Sequence, residues 1–117
     1  MVAENRNRTE FDPTDGGRPQ VFLIGLPRIP DHVMGRARVR TVGFSSLTSA
    51  MLYLLRPDLV VCPLVHADFD AAQLVTRLQR IGYGGRLIVI ADVPDTAMVA
   101  AELAELGPGI TIRVVGP

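Results

Sequence analysis

Five short runs, separated by segments of helical period, constrain this chain more than any other feature of its sequence. Gln20-Val-Phe-Leu-Ile-Gly25, Leu59-Val-Val-Cys-Pro-Leu-Val65 and Arg86-Leu-Ile-Val-Ile-Ala91 are apolar over most successive residues, and Ile110-Thr-Ile-Arg-Val-Val115 is a further run rich in β-branched residues, broken by Arg113. Strands read this way when both faces of a parallel sheet are covered. The remaining run, Arg36-Ala-Arg-Val-Arg-Thr-Val-Gly43, alternates instead, with Arg36, Arg38 and Arg40 on one side and Ala37, Val39 and Thr41 on the other. That period predicts a half-exposed edge strand.

The intervening segments carry helix signals. Ser45 or Ser46 is expected to cap a helix with Leu47, Ala50, Met51 and Leu54 on its core face, ended by Arg56-Pro57. Asp68 or Asp70 caps a second, with Ala71, Leu74, Val75 and Leu78 inward, Arg77, Gln79 and Arg80 outward, and Gly82-Tyr-Gly-Gly85 as its stop. Pro94, Asp95 and Thr96 open a third, carrying Val99, Leu103 and Leu106 and closed by Gly107-Pro-Gly109. Strands alternating with helices require crossover connections, so the expected class is α/β with an open parallel five-stranded sheet.

A chain of 117 residues accommodates one ordinary domain. Residues 1–19 are mostly polar, with Phe11 their only large aromatic residue, and are expected to form a disordered tail, leaving 20–117 as the domain. Lys+Arg and Asp+Glu are equal at 12 each, which argues against a nucleic-acid surface. Cys62 is the only cysteine, so there is no internal disulfide. No N-terminal apolar segment resembles a secretion signal or a spanning helix, which leads to the expectation of a cytoplasmic protein without membrane contact.

The segment Arg56-Pro-Asp-Leu-Val-Val-Cys-Pro-Leu64 resembles the receiver (CheY-like) domains of bacterial response regulators, where a Pro-Asp-Leu-Val lead-in runs into the strand that ends on the phosphorylated aspartate. Gly82-Tyr-Gly-Gly-Arg-Leu-Ile-Val-Ile90 is similar to the family's lead into its fourth strand, and Pro117 stands where the family has the proline of a Lys-Pro pair. The resemblance spans residues 21–117 and implies a flavodoxin-like fold and a two-component signalling context. It also implies where phosphoryl chemistry belongs: an acidic pair for Mg²⁺, an aspartate nucleophile, a hydroxyl and a lysine. Those positions fall on Gly25 and Leu26, Pro63, Ala91 and Gly116, none of which supplies the required group. The expectation is a pseudo-receiver, not an enzyme, with no cofactor and no metal.

A receiver's first and last helices share one face of its sheet. Here the prolines and Gly35 between Gly25 and Arg36 are expected to leave room for about two helical turns at best, and no final helix is expected after the last strand. A bare, apolar sheet face is therefore expected, with Val21, Phe22, Leu23, Ile24, Val60, Val61, Thr111, Arg113 and Val115 as surface candidates. Its simplest cover is a second copy in a two-fold homodimer, with a signalling protein as the other partner class.

The rival reading is a small enzyme or a ligand- or metal-binding protein using Cys62, His66, Asp68 and Asp92 near strand ends, where open α/β sheets hold ligands. Against it, Cys62 suits a buried apolar position and Asp68 a helix cap. Arg36, Arg38 and Arg40 suit an anionic partner, or simply an edge strand protected from aggregation.

Overall fold

The apolar runs become a single sheet because each can bury side chains on both of its faces. The structure, a computed structural model, describes residues 20–28 and 38–117. Its strands are β1 (Gln20–Leu23), β2 (Arg38–Thr41), β3 (Leu59–Pro63), β4 (Arg86–Ile90) and β5 (Thr111–Val115); its helices are α1 (Ser49–Leu55), α2 (Ala71–Arg80) and α3 (Thr96–Leu106). The strand order is β2-β1-β3-β4-β5, and every neighbouring pair is parallel. This is an open α/β sheet of flavodoxin-like order, whose direction of travel reverses between β1 and β3.

Right-handed crossovers place connections that step the same way across a sheet on the same face. The connections from β2 to β3, β3 to β4 and β4 to β5 all do so, and their helices share one core. Leu52 of α1, Leu74, Val75 and Leu78 of α2 and Leu103 of α3 pack with Phe22, Ile24, Val60, Cys62, Leu87, Val89 and Val114 from the sheet. Val21, Leu23, Leu59, Val61, Ile88 and Ile90 form a separate cluster on the other face. Asp58 aligns the amino ends of β1 and β3: its Oδ2 accepts from the Gln20 N–H at 2.8 Å, and its own N–H donates to the Gln20 carbonyl at 2.8 Å.

Several local expectations are corrected. Ser45 and Ser46 lie in a 3-10 turn, Phe44–Ser46, and the cap of α1 is Thr48, whose Oγ1 accepts from the Met51 N–H at 3.1 Å. The helix thus begins later than its Leu/Met stripe suggests, and rotates. Leu52 is buried with Met51 and Leu55 packed beside it, while Ala50 is exposed and Leu54 is 75% exposed. Strand β2 is an edge, as its charges suggest, but all four of its residues are exposed, so its alternation marks no buried side.

The expected surface of bare strands is also corrected. Phe22, Ile24 and Val60 point into the helix-covered core. Val21, Leu23 and Val61, on the opposite face, are exposed by 1% or less. Among those candidates Thr111 and Arg113 are exposed and Val115 is half-buried. Openness therefore belongs to the sheet's edges, not to its central strands. The expected N-terminal tail (residues 1–19), Arg36 and most of the expected short first helix (residues 29–37) lie outside the described residues.

Candidate functional site

At the carboxyl ends of β1, β2 and β3, next to the reversal in strand order, the surface opens into a cleft of about 580 Å³. Gly25 to Pro27 enter it from β1, Thr41 to Ser45 from β2, and His66, Asp68 and Phe69 from the segment that follows β3. A switch point is where the loops after adjacent strands diverge, which leaves a crevice between them.

The wall contributed after β3 is held rigidly. Val65 and Asp70 form an antiparallel bridge, the His66 N–H donates to the Phe69 carbonyl at 2.8 Å, and the Ala71 N–H donates to the Leu64 carbonyl at 2.8 Å. Asp70 then starts α2 with a reciprocal cap. Its Oδ1 accepts from the Gln73 N–H at 2.8 Å, and Gln73 Oε1 accepts from the Asp70 N–H at 2.9 Å. Asp70, not Asp68, is thus the capping residue, and Asp68 is left at the cleft.

Three rings meet in this wall. Phe69 is stacked with Phe44 at 4.9 Å between centroids and with His66 at the same 4.9 Å. Gly25 makes room for them: it has φ +80°, and a Cβ on it would stand 2.8 Å from Phe69 Cζ and 3.1 Å from His66 Cδ2. Arg77 does not point away from the core as its helical position suggests. Its guanidinium lies 5.2 Å from the Phe44 ring centroid, and its Nε and Nη2 donate to the Leu47 carbonyl at 3.1 and 2.7 Å. It thereby ties the Phe44 turn to α2.

The imidazole of His66 is oriented by its neighbours. The Asp68 N–H donates to His66 Nδ1 at 3.1 Å, which puts the ring proton of the neutral side chain on Nε2. Asp68 Oδ2 stands 3.9 Å from Nδ1, with the carboxylate largely in solvent. Among the described residues the cleft therefore offers an imidazole N–H donor, the Asp68 carboxylate as acceptor and the hydroxyls of Thr41 and Ser45.

Of the strand-end residues singled out from sequence, His66 and Asp68 line this cleft; Cys62 and Asp92 do not. Cys62 is buried in the helix-covered core, and burial pushes its thiol from an ordinary 9.0 up to about 12, so it stays protonated and unreactive near neutral pH. Asp92 is exposed after β4. Among the described residues no cluster of three or more His, Cys, Asp or Glu side chains is placed to hold a metal ion.

Gly25 and Leu26 belong to the cleft, whereas Pro63, Ala91 and Gly116 end the adjacent strands β3, β4 and β5. Pro63 is in register with Ile90, Ile90 with Val115, and the Ala91 N–H donates to the Val115 carbonyl at 2.9 Å. These strands end level, so the positions named by the resemblance share one rim, without a carboxylate, hydroxyl or ammonium among them. All twelve Lys+Arg residues of the chain are arginines, so the chain has no lysine at any position.

The aromatic wall escaped the sequence reading because Phe44 and Phe69 look like isolated core residues; a Phe between Asp68 and Asp70, facing a glycine after β1, is the only signal. No protein-family model matches the chain, and no curated protein is significantly similar to it. No helix among the described residues is long and apolar enough to cross a membrane.

Proposed function

We propose that this chain is a phosphorylation-independent, receiver-like association module that acts by binding a protein partner, in the simplest case a second copy of itself. The observation that carries this reading is the outer side of α1. The helix is Ser-Ala-Met-Leu-Tyr-Leu-Leu, with no charged side chain and, after Ser49, only the Tyr53 hydroxyl polar. A helix with large apolar or aromatic side chains on its outer as well as its inner side belongs in a core or against a partner. Yet Tyr53 is 71% and Leu54 75% exposed.

Arg56 organises this patch. It ends α1 in a left-handed conformation with φ 46°, its N–H donating to the Leu52 carbonyl. Its Nε donates to the Tyr53 carbonyl at 3.3 Å, and its guanidinium lies 5.5 Å from the Tyr53 ring centroid. Tyrosine and arginine are the residue types over-represented where interfaces concentrate their binding energy. A positioned Tyr–Arg pair beside Leu54 thus supplies an anchor with a charged rim. The receiver resemblance supports a signalling context for the association, and the uncharged rim at Pro63, Ala91 and Gly116 supports its independence from phosphorylation.

Sedimentation velocity tests this reading. The wild-type chain is expected to form a dimer at micromolar concentration, and a Tyr53→Ser, Leu54→Ser double variant to sediment as a monomer with an unchanged circular dichroism spectrum. A wild-type monomer, or a dimer indifferent to both substitutions, overturns self-association through α1. Incubation with an acyl phosphate and Mg²⁺ is expected to leave the intact mass unchanged; a stable phosphoryl adduct overturns the phosphorylation-independent part.

A further inference from the structure

We infer that the α1 patch docks on the outer face of α3 in a second copy of this chain, with Arg56 of one copy set against Glu102 and Glu105 of the other. The inference rests on self-association through α1 and adds the surface that receives it.

Along α3, Met98, Glu102, Glu105 and Leu106 fall at i, i+4, i+7 and i+8, which places them on one side of the helix. All four are exposed, Met98 at 54% and Leu106 at 44%, while Leu103 is turned into the core. The face is thus apolar and acidic, and α3 contains no basic residue. The α1 patch is its counterpart. Tyr53 and Leu54 supply exposed apolar surface, and the exposed Arg56 holds its guanidinium beside the Tyr53 ring.

Charge selects this pairing over α1 against α1. Helix α1 contains no acidic residue, so a second α1 offers Arg56 no carboxylate; α3 offers two. Glu105 stands in the last turn of α3, where its charge adds to the negative end of the helix dipole, and no basic residue in that turn offsets it. Among the described residues no ion pair engages Glu102, Glu105 or Arg56. An arginine from another copy answers that imbalance. Opposite charges of this kind set register and orientation, while the apolar side chains between them supply affinity.

The fold allows the contact to be made twice. Helix α1 runs from β2 to β3 and α3 from β4 to β5, on one face of the sheet with α2 between them. The two surfaces are therefore separate on each copy. A two-fold axis lays α1 on the partner's α3 and α3 on the partner's α1, and the assembly closes as a dimer.

The test is the dimer dissociation constant of the full chain by sedimentation equilibrium, for the wild type, for Glu102→Arg with Glu105→Arg, and for those two combined with Arg56→Glu. The charge reversal on α3 is expected to weaken dimerisation by at least the order of tenfold, and the triple variant to regain most of that loss, because the opposed signs are restored. Wild-type dimerisation by the α3 variant overturns the inference and leaves association through α1 standing. A triple variant no tighter than the α3 variant also overturns it. A monomeric wild type overturns both the inference and the reading on which it rests. Should the α3 variant unfold by circular dichroism, Glu102→Gln with Glu105→Gln removes the charges at constant size and is expected to weaken dimerisation about threefold; an unchanged constant there overturns the inference.

Discussion

Helices α1 and α2 lie over the same face of the same sheet and are put to opposite uses. In α2 the apolar residues Ala71, Leu74, Val75 and Leu78 are all buried, a capping box closes the start, and Arg77 and Arg80 stand in the last turn, where their positive charge complements the negative end of the helix dipole. In α1 only Leu52 is buried, the start is held by one side-chain bond to Thr48, and the end rests on a left-handed Arg56. An amphipathic stripe matched to the sheet produces core; apolar residues left outside that stripe produce surface. The difference teaches that hydrophobicity alone does not say which helix is structural.

The sharpest way to break this contrast is to shorten one leucine on each helix. Leu78 is fully buried, so Leu78→Ala is expected to cost about 2–5 kcal/mol of unfolding free energy in a denaturant titration. Leu54→Ala, at a solvent-facing position, is expected to change stability by no more than about 0.5 kcal/mol. Equal losses at the two sites would show that α1 buries its outer face after all.

The core beneath the helices can also be probed by pH. Burial raises the Cys62 thiol to about 12 from an ordinary 9.0, and raises the Tyr83 phenol as well. In both cases the folded chain holds its proton longer than the unfolded chain. Stability from Cys62 is therefore whole below about pH 9 and is lost as pH climbs towards 12. Denaturation midpoints measured across that window are expected to fall, and to fall less steeply in Cys62→Ala.

Smaller effects belong to the helix ends. Asp70→Ala removes the acceptor for the Gln73 N–H and is expected to cost about 1 kcal/mol. Thr48→Ala is expected to cost less than Asp70→Ala in the same denaturation assay, because Thr48 makes no reciprocal cap. The smallest expected change is Arg56→Gly, where relief of a left-handed backbone worth about 1 kcal/mol is offset by loss of the bond to the Tyr53 carbonyl. Its clearer readout is weaker self-association with nearly unchanged melting.

Much of the fold was legible because it depends on local periodicity. The β-branched runs at 20–25, 59–65, 86–91 and 110–115 coincide with β1, β3, β4 and β5, and the spacing of Leu74, Val75 and Leu78 with the buried face of α2. The edge position of β2 followed from its arginines. Less of the site was legible. His66 and Asp68 were visible as polar residues after a strand, but Phe44 and Phe69 join them only through stacking across 25 residues of sequence, which no local pattern encodes. The register of α1 was misread because Ser45, Ser46 and Thr48 are all competent caps, and the turn held by Arg77 selects the last of them.

The sequence by itself determined an α/β sheet of parallel strands, since alternating apolar runs and helical periods permit few other arrangements. It determined as well that no carboxylate or lysine stands at the strand ends where the receiver resemblance would place them. Tertiary structure alone decided which apolar residues were surplus and which rings met: burial depends on what each helix packs against. Strand order, and with it the cleft, follows from long-range pairing that no stretch of neighbouring residues specifies.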